Sequence, residues 1–556
     1  MKKYLFVILL VLVSVRLFSQ IAPDKYYIQF TDKKNSPYSL NHPEKYLSAR
    51  ALARRARFHI SIKENDLPVN PRYVDSVAKT GVRILNTSRW LNGVTVYTTD
   101  TTLIDSIKHF SFVKKILKFS KEKQFRNKYK RESALPVTVP VFKSGNPSEA
   151  KYGAALTQIE QLNGIYMHNK GYRGQGMQIA VLDAGYSSVP TQPLFDSLRN
   201  SHRILGTRDF VNPGGNVYLQ HYHGRMVLSC MAADVPGTMI GTAPKASYWL
   251  LRSEDAGSEN VIEEYNWVSA AEFADSVGAD VINSSLGYIA FDDTIFSHPY
   301  SDMNGKTCIS TRGAEIAASK GILVVNSAGN SGDSQAFPWI GAPADGDSVL
   351  TVGAVTATGT RAYFSSIGPT YDGRIKPTLM AMGQGDAVAN STDSVTRGSG
   401  TSFSSPVMAG MCACLWEAHP SATNMQIMAA LEKTASLSGN PNNDMGWGIP
   451  DFAKADAYLS ETLGLLNPKA KQNILTIYPN PFHDSFTIDN PGKISGNVQL
   501  TLLSLDGKVL FKKKIPVDGM KIVIHTPFLL HLKPGIYLIR LSHSGKNFYG
   551  KILKYN

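Results

Sequence analysis

Three short apolar runs set the frame of the middle of the chain: Met177-Gln-Ile-Ala-Val-Leu182, Ala279-Asp-Val-Ile-Asn283 and Gly321-Ile-Leu-Val-Val325, each bounded by glycine or polar residues. Runs of this length without strict alternation predict central parallel strands covered on both faces. Helical stretches over 261–277 and 311–320 separate or precede them. The alternation predicts an α/β domain over residues 151–466 with a doubly wound parallel sheet, whose site lies beyond the carboxyl ends of the strands. Residues 21–120 have a different rhythm. Tyr26-Tyr-Ile-Gln-Phe30 alternates as a strand does, 81–85, 93–98 and 113–117 are further strands, and 47–58 and 102–109 have helical composition, which together predict a small α+β domain. From 121 to 150 the chain is first basic and then carries Pro136, Pro140 and Pro147 with no hydrophobic period, so it reads as a linker open to proteolysis. Residues 467–556 are strand-rich over 474–482, 498–505, 508–515 and 535–540, with Asp506-Gly507 as a turn, and predict a β-sandwich.

With 556 residues, 43% of them hydrophobic, the chain can fill several packed cores. Residues 1–20 open on Lys2 and Lys3, run apolar from 4 to 15 and end on Ser19 and Gln20, the layout of a secretory signal, although Arg16 interrupts it. The run is too short to span a bilayer comfortably, and no later segment reaches eighteen unbroken apolar residues, so no membrane span is expected in the mature form. Four cysteines in so long an exported chain do not make a disulfide scaffold; Cys230, Cys308, Cys412 and Cys414 are read as buried small side chains, a bridge elsewhere than between Cys412 and Cys414 being left open. The net charge of +14 would suggest nucleic acid as partner until it is divided. Residues 21–150 hold 24 basic and 11 acidic side chains, leaving +13, whereas 151–466 hold 18 and 29, leaving −11. The basic segment has an acidic partner within its own chain, and no nucleic-acid partner is expected.

Each central strand ends in polar chemistry: Asp183 after Val-Leu, Asn283 opening Asn283-Ser-Ser-Leu-Gly287, and the third run leading into Asn326-Ser-Ala-Gly-Asn330. His223 precedes Gly224 and a small-residue apolar helix. In Gly400-Thr-Ser-Phe-Ser-Ser-Pro-Val-Met-Ala-Gly410, Ser402 falls at the start of a buried helix, where free N–H groups and the macrodipole favour negative charge, with Pro406 expected in the first turn. An isolated Gly-Thr-Ser is ordinary helix-capping chemistry. A metal set of His221, His223 and Asp183 is the competing use of the histidines, but no Glu stands at helical zinc spacing and no Cys or carboxylate cluster completes it.

Taken in chain order, these stretches resemble the subtilisin-like serine proteases, with Ala180-Val-Leu-Asp-Ala-Gly185, His223-Gly-Arg-Met226, Gly241-Thr-Ala-Pro244, 283–287, Ser327-Ala-Gly-Asn330, Phe364-Ser-Ser-Ile-Gly-Pro369, 400–410 and Gly446-Trp-Gly-Ile-Pro-Asp451 carrying the likeness. The resemblance implies a serine endopeptidase acting on proteins and peptides. Ser402 would be the nucleophile, His223 the base, Asp183 the orienting carboxylate, and Asn330 with the Ser402 N–H the oxyanion donors. Ser285, Leu286 and Gly287 would pair with substrate as an edge strand and, with Ala328 and Gly329, wall the specificity pocket. Ala184 stands where the family often has Ser or Thr, and Arg225-Met226 replaces the common Thr-His. The resemblance further makes 21–120 an inhibitory propeptide. No cofactor is required; bound calcium is common in the family, and Asp292, Asp293, Asp345 and Asp347 offer oxygens without a pattern that assigns a site. The Tyr478-Pro-Asn-Pro-Phe482 opening, the Gly535-Ile-Tyr-Leu-Ile539 strand and Lys551-Ile-Leu-Lys554 resemble the sorting domain of type IX secretion substrates in Bacteroidota, which implies that machinery as a partner and an extracellular or cell-surface destination reached through the periplasm. An inactive subtilase-like adhesion protein, the same triad acting on an ester, and a carbohydrate-binding C-terminal module are the competing readings.

Overall fold

The computed structural model describes residues 24–119, 151–391, 393–466, 475–489, 494–504, 507–544 and 546–555, with the backbone of the strand Ala134–Thr138. The expected signal at 1–20 and most of the expected linker lie outside the described residues. The chain divides into two units, Met1–Asp456 and Ala457–Asn556.

In the first unit, strands β1 (Lys25–Phe30), β2 (Arg83–Ser88), β3 (Gly93–Tyr97) and β4 (Val113–Lys118) form an antiparallel sheet in the order β2-β3-β1-β4. One face buries Ile28, Phe30, Val94 and Val96 beneath the helices Pro71–Ala78 and Thr101–Lys108, whose inward residues include Val77, Ile104 and Ile107. Then follow β5 (Gln178–Asp183), β6 (Ile204–Asp209), β7 (Ser247–Arg252), β8 (Val281–Ser284), β9 (Leu323–Ser327), β10 (Val349–Val355) and β11 (Leu379–Met382), in a seven-stranded sheet ordered β11-β10-β9-β8-β5-β7-β6. All six pairings are parallel, as expected. Four of these strands, β6, β7, β10 and β11, add to the three read from the sequence. The segment 121–150, expected to lack structure, contains the strand Ala134–Thr138, paired antiparallel with Val395–Ser399 at the edge of a three-stranded sheet. Pro136 is tolerated there because an edge strand need not donate on both sides.

The N-terminal sheet meets the second one through helix α3 (Ile262–Val277), of which thirteen residues are buried. A single buried cluster joins Tyr27, Trp90, Leu91 and Phe119 to Val261, Ile262, Tyr265 and the sheet beneath, with Tyr27 and Phe119 ring centroids 4.6 and 5.0 Å from Tyr265. Helix α1 (Ala49–Arg57) is capped by Ser48, whose hydroxyl accepts the Ala51 N–H, and carries its arginines to the ends of two other helices. Arg54 donates to the carbonyls of Ala279, Lys320 and Asp275, and Arg50 to that of Gly278. Those of Asp275, Gly278 and Lys320 are terminal carbonyls of α3 and of α4 (Ile309–Ser319), where the macrodipole favours a cation. Behind them Asp275, fully buried, takes Arg54 at 2.6 Å, Arg55 at 2.9 Å and Arg89 at 2.6 Å. Arg55 also holds Asp66, which in turn holds Lys320. Three arginines of the N-terminal half thus surround one carboxylate of the other, while Asp66–Lys320 runs against the general polarity.

The second unit pairs Ile477–Tyr478, Ser485–Asp489 and Lys521–His525 in one antiparallel sheet and Val509–Val517, Gly496–Leu503, Gly535–His543 and Lys546–Lys554 in another. Period-2 burial of Val498, Leu500 and Leu502 against Phe486, Ile488, Ile522 and Ile524 closes the sandwich core. The strand expected over 474–482 shortens to Ile477–Tyr478, since Pro479 and Pro481 have no N–H for a ladder.

Candidate active site

Strands β5, β8 and β9 are neighbours, so their carboxyl ends deliver Asp183, the segment 283–287 and the segment 327–330 to one edge of the sheet. Asp183 is fully buried. Its Oδ1 accepts the Ala184 N–H at 2.7 Å and lies 2.8 Å from Nδ1 of His223, the first residue of helix α2 (His223–Ala232). The approach is close: a Cβ on Gly224 would lie 2.9 Å from Asp183 Cβ and 2.5 Å from Gly185 O, which is why glycine follows the histidine. Among the described residues Asp183 Oδ2 is buried without a hydrogen-bond partner. His221 accepts the His223 backbone N–H on Nδ1. Among the described residues, the groups close enough to hold a metal include neither histidine nor Asp183. Arg225 is buried and donates to Ser187 O at 3.2 Å, folding back from the ring it follows.

Ser402 is the second residue of helix α5 (Thr401–Ala418) and is 7% exposed. The helix start is capped from outside. Asn330 Oδ1 accepts both the Thr401 N–H at 2.8 Å and the Thr401 hydroxyl at 2.9 Å, and that hydroxyl accepts the Gly329 N–H at 3.1 Å. Committing Oδ1 as acceptor leaves the amide Nδ2 as the donating end. Gly400, at φ +151°, marks the space beside it: a Cβ there would sit 3.5 Å from Asn330 Nδ2 and 3.8 Å from the Ser402 nitrogen. Both nitrogens therefore lie beside Gly400, whose positive φ an L side chain rarely adopts.

Pro406 lies in the second turn of α5, not the first. It supplies no N–H to the carbonyl four residues back, that of Ser402. That carbonyl instead accepts the Ser285 hydroxyl at 2.9 Å, and Ser405 Oγ donates to Asn283 Oδ1 at 2.9 Å, so the turn bearing Ser402 is tied to the end of β8. Sequence reading missed these supports, together with Phe403, whose ring centroid lies 6.2 Å from that of His223. Only the run of small hydroxyl residues hinted at them. Of the expected substrate-binding residues, Leu286 is nearly buried with its carbonyl held by Asn326 Nδ2 at 3.0 Å, Gly287 is exposed, and Ala328 is buried. All four cysteines are free and buried.

Among the described residues, the groups close enough to hold a metal include none of Asp292, Asp293, Asp345 and Asp347. Asp292 and Asp293 accept the N–H groups of Glu259 and Ile295, Asp345 accepts Gly305 N–H and Thr311 Oγ, and Asp347 faces Arg374 at 3.9 Å.

Residues 174–448 match the model of the subtilase family. Subtilisin from Bacillus pumilus is 30% identical over 287 residues, which cover 51% of this chain and 92% of that protein. The chain belongs to the subtilase family. Subtilisin NAT of Bacillus subtilis subsp. natto is 31% identical over 51% of this chain, which spans 66% of that relative's length. MycP1 with its N-terminal propeptide removed is similar in structure over 54% of this chain and 96% of that one, at 22% identity and TM-score 0.42. Two flanking matches complete the layout of this subtilase: a peptidase S8 propeptide domain of Bacteroidota over 25–134 and a secretion system C-terminal sorting domain over 476–555. Subtilases are serine endopeptidases, and a sorting domain marks a chain for secretion. Among the described residues no helix is long and apolar enough to cross a membrane.

Proposed function

We propose that this chain is the precursor of a secreted serine endopeptidase in which Ser402 attacks the scissile carbonyl of a protein or peptide. His223 takes the proton of Ser402 and passes it to the leaving amine, and Asp183 holds the imidazole with Nδ1 as donor and stabilises the imidazolium. The oxyanion is bound by Asn330 Nδ2 and the Ser402 N–H, and Ser285, Leu286 and Gly287 receive the substrate backbone. The single observation that carries this reading is the 2.8 Å bond from His223 to a buried carboxylate beside a helix start that is capped by Asn330 Oδ1. Until cleaved, residues 21–120 keep the enzyme silent; the C-terminal sandwich is read by the type IX machinery and then removed.

A serine-directed phosphonate should label the mature protein, and Ser402→Ala should abolish labelling; equal labelling of both overturns the mechanism. Asn330→Ala should lower kcat by about 10²–10³-fold with little change in KM, a magnitude drawn from subtilisin, a member of this family. A change confined to KM would remove Asn330 from the oxyanion hole.

A further inference from the structure

Away from the proposed triad, three elements bring an oxygen, a nitrogen and a sulfur ligand together: Glu264 in the first turn of α3, His298 in the loop that follows the substrate edge, and Cys308 immediately before α4. All three donor atoms lie within 4.8 Å of one another. Glu264 is completely buried, Cys308 is 1% exposed, and the His298 side chain is 12% exposed. Glu264 Oε1 is spent on Ser310, accepting its N–H at 3.1 Å and its hydroxyl at 2.7 Å, and this turns Oε2 to His298 Nε2 at 3.0 Å. On the opposite side of the ring, Asp302 Oδ2 lies 3.1 Å from Nδ1. A carboxylate on the far nitrogen is the arrangement that orients metal-bound histidines and raises their basicity.

We propose that Glu264, His298 and Cys308 bind one zinc ion, with water as fourth ligand and Asp302 as the partner that orients His298. The donor set is specific. Thiolate with imidazole selects zinc over calcium or magnesium, which take oxygen ligands. Thiolate and carboxylate together neutralise the doubly charged ion, so the filled site carries no net charge into a buried place. The His298 ring lies between the carboxylates of Glu264 and Asp302, and Cys308 Sγ donates to the Asp302 carbonyl at 3.7 Å. Zinc replaces the Nε2 proton and the thiol proton, releasing both to solvent. It would clamp residues 289–308, the loop after the substrate edge, onto the starts of α3 and α4.

The test uses the full chain carrying Ser402→Ala to prevent self-cleavage. After dialysis against zinc alone and then metal-free buffer, elemental analysis should find about one zinc per chain, and cobalt in its place should give a thiolate-to-metal charge-transfer band. Cys308→Ser should abolish the band and weaken zinc binding at least about tenfold. Asp302→Asn, which keeps every ligand, should retain the band at saturating cobalt and weaken zinc about 10–100-fold. No retained zinc, or a band that survives Cys308→Ser, overturns the proposal; if the serine variant does not fold, unchanged zinc affinity in Asp302→Asn overturns it instead.

Discussion

Asp183→Asn is expected to lower kcat by about 10⁴-fold while leaving the fold and substrate affinity nearly intact. The size is that known for orienting carboxylates of serine proteases, subtilisin of this same family included, and the reason it applies here is geometric. Asp183 Oδ1 faces two donors, the Ala184 N–H at 2.7 Å and His223 Nδ1 at 2.8 Å. An asparagine that keeps its oxygen toward both preserves the pair but loses the negative charge that steadies the imidazolium. One that turns its amide inward forces His223 Nδ1 to accept, moving the ring proton to Nε2, where it can no longer take the proton of Ser402. Among the described residues Asp183 Oδ2 has no partner, so the opposition to that turn comes from the Ala184 N–H, which would then face an amide N–H in place of an oxygen. Steady-state kinetics on an unfolded protein substrate checks the loss, and a drop below about tenfold would show that Asp183 does not orient the base.

The second large effect concerns the N-terminal domain. Asp275→Ala in the mature enzyme should weaken inhibition by the added N-terminal domain by about 3–5 kcal/mol, roughly two to four orders of magnitude in the inhibition constant. Three buried guanidinium groups would surround a missing counter-charge. The pH dependence follows from two neighbouring carboxylates. Burial alone would raise the pKa of Asp275, but Arg89, Arg54 and Arg55 outweigh it and the pKa is lowered. Its contribution is complete above the ordinary carboxylate range and is lost only as pH falls through the lowered folded value. Glu272 is raised, chiefly by burial, against the opposing bonds from Arg89, Ser88 and Trp90. Protonating it favours the bound state, so its contribution grows as pH falls. Neither group weakens the complex between pH 7 and about 5. An inhibition constant that rises tenfold over that range would contradict the assignment. The same measurement across a salt series separates contact from steering: buried pairs are little screened, so salt should slow association and leave dissociation unchanged.

The candidate site residues stood out in the sequence more than the framework did. Asp183, His223, Asn330 and Ser402 stand where apolar runs give way to glycine and polar residues, and the sheet brings the carboxyl ends of β5, β8 and β9 side by side. The strands missed are those whose pattern is diluted. Ile204–Asp209 is an edge strand with Gly, Thr, Arg and Asp among six residues, and Leu379–Met382 is an edge strand of four. Val349–Val355 is buried throughout, but Thr351 and Gly353 interrupt its apolar run. Pro406 was misplaced by one turn because its lost bond is made good by Ser285, more than a hundred residues away. The Glu264, His298 and Cys308 group has no spacing that a motif could catch, since a helix start, a loop and a helix cap bring it together.

That exchange of partners at Ser402 has a mechanical side. A helix with an N–H at position 406 would hold the serine's carbonyl by itself, indifferent to the cleft. With proline there, the carbonyl leans on the hydroxyl of Ser285, in the same segment that a substrate backbone would lie against. On the proposed mechanism, a displacement of that wall by a docking peptide would be passed to the turn bearing Ser402, so that filling the cleft and aligning the serine hydroxyl would be one movement.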